Sequence, residues 1–153
     1  MKVLDKINIF FLIILYVFNS CVSLKESNSD KRDIIVRYAK NFLNKKYKFG
    51  SKDPHYGFDC SGFSQYVFKQ VNINIPRSVL NQYRKSKKID KKDLEPGDLV
   101  FFRINGNQIS HVGIFIGDDK FIHSPSSGKT IRIDSLNNPY WRKVYAGGGT
   151  FLK

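Results

Sequence analysis

The chain is poor in cysteine: its 153 residues carry two, Cys21 and Cys60. That excludes a disulfide framework, since at most one bridge can form. Acidic residues are scarce as well, 13 Asp and Glu against 26 Lys and Arg, for a formal charge of +13. No CxxC, HxxxH or HExxH occurs, so the common spacings of metal ligands are missing. No apolar run is long enough to span a bilayer. The run Ile9–Phe18 would reach about 15 Å as a helix, roughly half the hydrocarbon core. No internal repeat is present, which excludes a solenoid, and the length suits one domain.

What is present begins at the N-terminus. Lys2 and Lys6 precede the Ile9–Phe18 run, and Asn19-Ser20-Cys21 closes it. A basic start, an apolar centre and small residues make an export signal over residues 1–20. Phe18-Asn19-Ser20-Cys21 also resembles a bacterial lipoprotein box, which makes Cys21 a lipidated N-terminus; an ordinary cleavage site near an incidental cysteine is the alternative. Residues 21–29 read as a polar tether. With Cys21 acylated, Cys60 is the one free thiol, and an unpaired thiol in an exported protein points to a reactive cysteine. The basic charge favours anionic surroundings such as headgroups, acidic wall polymers or an acidic substrate. A nucleic-acid partner is not expected, because the export signal removes the chain from the cytoplasm.

Apolar spacing predicts an amphipathic helix over residues 31–44, capped by Asp30, and a second from Cys60 to Val71. Gly50 to Gly57 reads as a loop, and the basic run Arg84-Lys85-Ser86-Lys87-Lys88 with Lys91-Lys92 as a solvated one. Strands are predicted at Leu99–Ile104, Ser110–Ile116, Lys120–His123, Thr130–Ile133 and Val144–Ala146. Helices first and strands afterwards imply an α+β domain over residues 30–153, with N-terminal helices packed on a central antiparallel sheet.

Cys60 falls at the start of the second helix, where unpaired N–H groups and the helix dipole favour a thiolate. An imidazole beside it favours the thiolate further, so its pKa is expected below the ordinary thiol value. His111 and His123 are the candidate partners. They can cooperate only if they share a sheet face. A two-residue loop at Asp118-Asp119 pairs His123 with Ile114 and puts the rings on opposite faces. A three-residue loop, or a bulge, pairs His123 with Gly113 and makes His111 a diagonal neighbour on the same face. The bare Gly113 would leave room for that contact. Cys60, His111 and His123 as zinc ligands are the competing reading, but a helix-start thiol suits a nucleophile better.

At these residues the chain resembles the NlpC-type cell-wall endopeptidases, cysteine peptidases with a papain-like core. The motifs run in order: Tyr47-Lys48-Phe49-Gly50, Asp59-Cys60-Ser61-Gly62-Phe63, Pro76-Arg77 with Gln82, Pro96-Gly97-Asp98-Leu99-Val100-Phe101-Phe102, Ser110-His111-Val112-Gly113-Ile114, Phe121-Ile122-His123 and Tyr140-Trp141. The resemblance implies hydrolysis of peptidoglycan stem peptides, typically after γ-D-glutamyl. Cys60 would be the nucleophile, His111 the base and His123 the orienting residue, with Tyr47, Asp59, Ser61, Arg77 and Ser110 binding substrate. No metal or organic cofactor is implied. A monomer is expected, anchored to the membrane through Cys21 in the cell envelope. Three departures stand out: Ser51 after Gly50, Val79 in place of a frequent Ser, and Gly147-Gly148-Gly149 where an Arg often occurs. The alternatives are a non-catalytic wall-binding lipoprotein on the same fold and, further off, a thiol acyltransferase.

Overall fold

The computed structural model describes residues 27–126 and 129–152. The expected signal and Cys21 lie outside the described residues. Helix α1 (Asn28–Asn41) begins earlier than the pattern suggests. Ser27, not Asp30, is its cap. Ser27 Oγ accepts from Asp30 N at 3.1 Å, and the Asp30 carboxylate accepts from Ser27 N at 3.0 Å. This reciprocal box needs an acid at the third helical position, which is where Asp30 stands. The last three residues of the expected tether are therefore the cap and first turn. The helix also ends sooner than predicted, and Asn44 at φ 68° turns the chain away.

Two short strands, β1 (Lys52–Asp53) and β2 (Gly57–Phe58), form a hairpin inside the predicted loop. Helix α2 (Cys60–Lys69) follows directly. It buries Phe63, Val67 and Phe68 against Ile35 and Ala39 of α1 and against the sheet. Each such buried apolar side chain contributes about 1.5–3 kcal/mol. Helix α3 (Val79–Lys85), capped by Ser78, was not legible in the sequence. The basic run is not a loop either: Arg84 and Lys85 end α3, and Lys87–Ile89 is strand β3.

The other strands are β4 (Leu99–Phe102), β5 (His111–Gly117), β6 (Lys120–His123), β7 (Arg132–Ser135) and β8 (Tyr145–Thr150), with helix α4 (Pro139–Val144) before β8. They form one six-stranded antiparallel sheet in the order β3-β8-β4-β5-β6-β7. The α+β expectation is met. Lysine-rich β3 is an edge strand, where lysine is well tolerated. Both faces of the centre are covered. Leu99, Phe101, Val112, Ile114 and Ile122 face α1 and α2, while Val100, Phe102, Phe115 and Phe121 pack with Leu136 and Trp141.

The β5–β6 turn settles the face of the histidines. Asp118 (φ 51°) and Asp119 (φ 54°) form the two-residue loop, and Gly117 pairs with Lys120. That register alone would separate the rings. A bulge between Phe115 and Gly117 then shifts the ladder, so that Phe115 pairs with Phe121 and Ile114 with Ile122. The extra residue, Ile116, returns His111, Gly113 and His123 to one face.

Candidate active site

Cys60 is the first residue of α2, and Asp59 is its N-cap. Asp59 Oδ1 accepts from Gly62 N at 2.6 Å, which fixes the first turn. Gly62 is required there: a Cβ would overlap the Ser51 carbonyl oxygen, which itself accepts from Asp59 N. Arg77 clamps the same carboxylate with two bonds, Nη1 to Oδ1 at 3.0 Å and Nη2 to Oδ2 at 2.6 Å, and Nη1 also donates to Ser61 Oγ at 2.9 Å. Gln82 on α3 ties the Arg77 segment to the helix start. Its Nε2 donates to the Ser61 and Pro76 carbonyls, and its Oε1 accepts from Ser64 Oγ.

His111 opens β5 and His123 closes β6. His111 Nε2 and His123 Nδ1 lie 2.8 Å apart, and His123 Nε2 is 2.9 Å from Asp134 Oδ2 on β7. A carboxylate only accepts, so His123 carries its proton on Nε2. The neutral ring then accepts at Nδ1, which puts the His111 proton on Nε2. His111 Nδ1 is left as the free base. Because the two ring nitrogens face each other, they do not converge on a common ion. Among the described residues no group of three His, Cys, Asp or Glu side chains is placed to hold a metal.

The contact depends on Gly113. A Cβ there would lie 2.6 Å from Phe121 Cδ2 and 3.3 Å from His123 Cβ. Trp141 of α4 stacks on His111, with centroids 5.7 Å apart and planes 24° apart, and meets His123 edge-on at 4.9 Å. His123 is wholly buried.

Tyr47, Asp59, Cys60, Ser61, Arg77, Ser110 and His111 all line one cavity of about 870 Å³, together with Asp134 and Trp141. His123 is behind it. Ser110 has a second duty, since its hydroxyl accepts from the backbone N–H of Ile104 and Asn105. Sequence reasoning missed Asp134 and Arg132, and it noted Trp141 and Gln82 without a role. The signal was strand parity: Arg132 pairs with His123, so Asp134 shares its face.

The expected lowering of the Cys60 pKa is overturned. Burial, then the Asp59 carboxylate, pushes the thiol up to about 11, outweighing the backbone N–H groups of Val112, Ser61 and Cys60. Burial and neighbouring His123 hold His111 down at about 3, with Asp134 opposing. Burial likewise lowers His123. Burial would raise Asp134, but bonds from His123 and Arg132 hold its carboxyl down at about 2. At neutral pH the pair therefore rests as thiol and imidazole, with an ionised Asp134 behind.

A helix-start thiol and a strand-borne, hydrogen-bonded imidazole lining one cavity of an α+β scaffold fit the papain-like class of cysteine peptidase domains. The chain belongs to the NlpC/P60 family, whose pattern matches residues 44–150. It is similar to the murein DD-endopeptidase MepH of Escherichia coli, 43% identical over 109 residues, or 69% of this chain and 40% of the relative. It is also similar to the gamma-DL-glutamyl hydrolase of Bacillus subtilis, 38% identical over 118 residues, or 75% of this chain and 29% of the relative. The chain thus spans less than half the length of either. Among solved structures, an NlpC/P60 family protein from Bacillus cereus superposes with a TM-score of 0.76 at 35% identity, over 80% of this chain and 40% of that one. The NlpC/p60 domain of the peptidoglycan hydrolase SagA does so with 0.68 at 30% identity, over 78% of this chain and 98% of that one.

Proposed function

We propose that the protein is an exported endopeptidase of peptidoglycan stem peptides, with Cys60 as nucleophile, His111 as base and His123 as the residue that orients it. The observation that carries this reading is the chain of rings ending in a free His111 Nδ1, on the cavity that Cys60 also lines. With the thiol neutral at rest, attack and proton transfer go together. The Cys60 proton passes to His111 Nδ1 as sulfur bonds to the scissile carbonyl carbon. The backbone N–H of Cys60, at the helix start, is a donor for the resulting oxyanion. The imidazolium then protonates the leaving amine, and a thioester remains. Water, giving a proton to the same Nδ1, hydrolyses it and frees the thiol.

The relatives' names point to two bond classes, DD and DL-glutamyl. We favour cleavage after γ-D-glutamyl. Asp59, Ser61 and Arg77 then form the polar end of the cleft for the start of the stem, with Tyr47 and Ser110 as its walls. The envelope location, the Cys21 lipid anchor, a domain that starts at the Ser27 cap rather than at residue 30, and a monomeric state belong to the same reading. The test is digestion of defined muropeptides, read by mass spectrometry. Wild type should release products with a new γ-D-glutamyl carboxyl, and Cys60→Ser should release none. If wild type binds peptidoglycan yet cuts no stem, the wall-binding reading replaces this one.

A further inference from the structure

One oxygen behind the histidines gathers an unusual load. Asp134 Oδ2 accepts from His123 Nε2 at 2.9 Å, Arg132 Nη2 at 2.9 Å, Arg132 Nε at 3.0 Å and Trp141 Nε1 at 3.0 Å. The donors come from three separate elements, β6, β7 and α4. Two of the three donor residues touch His111 itself: His123 by the 2.8 Å bond and Trp141 by stacking. The carboxylate thus reaches His111 by two routes, one fixing its protons and the other its plane.

We propose that Asp134, with Trp141 as its brace, is a positioning residue of the Cys60–His111 reaction: it fixes the tautomers of both rings and holds the His111 plane so that Nδ1 stays the free base. This rests on the reading of Cys60 and His111 given above. The chemistry follows from donor and acceptor types. Without an acceptor at the Oδ2 position, His123 has no reason to keep its proton on Nε2. If that proton moves to Nδ1, it faces His111 Nε2 and forces the His111 proton onto Nδ1. The base is then blocked although every other atom is in place. Arg132, whose Nε and Nη2 both donate to Oδ2, keeps the acceptor ionised by its nearby positive charge. Trp141 is 6% exposed and its indole N–H has no other partner among the described residues, so the same oxygen also satisfies a buried donor.

Asp134→Asn separates charge from shape. Its carbonyl oxygen can stand where Oδ2 stood and accept the same donors, but without charge. Asp134→Ala removes the acceptor altogether. Purified full chain carrying each change should be compared with wild type by turnover and by 15N NMR of the histidine rings, which reports the tautomer directly. Wild type should show Nε2–H tautomers for both His111 and His123. Asp134→Ala should show tautomer exchange at both rings and a fall in kcat of about 10²–10⁴-fold with KM changed by less than about threefold. Asp134→Asn should keep the tautomers and lose less, about 10–100-fold. Trp141→Phe, which keeps a stacking ring but deletes the N–H, should be milder still. Unaltered tautomers at both rings in folded Asp134→Ala would overturn the proposal, as would Nδ1–H tautomers in wild type. The NMR result needs no substrate, so it decides the role of Asp134 even if wild type cuts no stem peptide; failure of wild-type cleavage would instead strike the functional reading.

Discussion

Gly113→Ala adds one methyl group at the point where the two histidine strands are pinned. Its Cβ would sit 2.6 Å from Phe121 Cδ2 and 3.2 Å from the Ile122 carbonyl oxygen. Carbon atoms prefer about 3.5–4.0 Å, so the ring edge must retreat by about 1 Å. Phe121 has nowhere to go. It is fully buried, with Phe102 at 5.0 Å, His123 at 5.0 Å and Trp141 at 5.1 Å between ring centroids. Overpacking of this kind costs about 1–3 kcal/mol. Losing the flexible glycine returns about 0.5–1 kcal/mol. The net loss, about 1 kcal/mol at the middle of both ranges, should lower Tm by about 2–8 °C for a domain of this size. Activity should suffer more than stability, because the displaced ring and strand carry His123, whose bond to His111 is 2.8 Å long. A misplacement of that order costs about 10–100-fold in kcat/KM. Thermal unfolding and stem-peptide turnover measure both effects. A variant with wild-type Tm and kcat/KM within twofold of wild type would refute the packing argument.

Cys60 should alkylate slowly at neutral pH. The rate with iodoacetamide should climb with pH toward the thiol value near 11, and a plateau reached below pH 8 would contradict a neutral resting pair. The His111 pKa, about 3 when folded against 6.5 unperturbed, means that the unfolded state binds the extra proton. The stability it contributes is complete above pH 6.5 and is lost as pH falls toward 3; Asp134, held near 2, adds a loss of the same sign below 3.8. Urea midpoints should therefore drop between pH 6.5 and 5, above the carboxylate range, and the drop should shrink in His111→Asn; a flat midpoint over that window would refute it. His123→Gln and His123→Asn should retain more turnover than His123→Ala, since an amide oxygen still accepts from His111 Nε2, and equal losses in all three would deny His123 an orienting role.

The parts of the fold that were legible were those with strong periodicity. The stripe of Phe63 and Val67 marked α2, and the apolar pair Phe121-Ile122 after the Asp118-Asp119 turn marked β6, whose expected bounds Lys120–His123 match. The register was legible only as a choice, because a bulge leaves no mark in composition; Ile116 looks like any strand residue. Strand β7 was truncated because Asp134 and Ser135 are poor strand formers. Tertiary pairing with β6 overrides that preference, and with it Asp134 escaped notice. The glycines of β8 were left out for the same reason, yet Gly149 lies where a side chain would run into Ser86. Helix α3 is too short at 7 residues for a periodic signal, and it forms because Ser78 caps it and Gln82 is bonded into the core. The direction of the Cys60 shift was misjudged because sequence reveals the helix start and the adjacent Asp59 but not the burial, which raises the thiol most.

The most direct test of Cys60 as nucleophile and His111 as base is to catch the thioester. A defined stem peptide is mixed with enzyme in excess, the reaction is quenched in acid within a turnover, and the intact protein and its peptides are weighed. Wild type should gain the mass of the acyl fragment, mapped to Cys60, and His111→Ala should gain almost none. Product release without any adduct on Cys60, or cleavage that persists in Cys60→Ser, would contradict the mechanism.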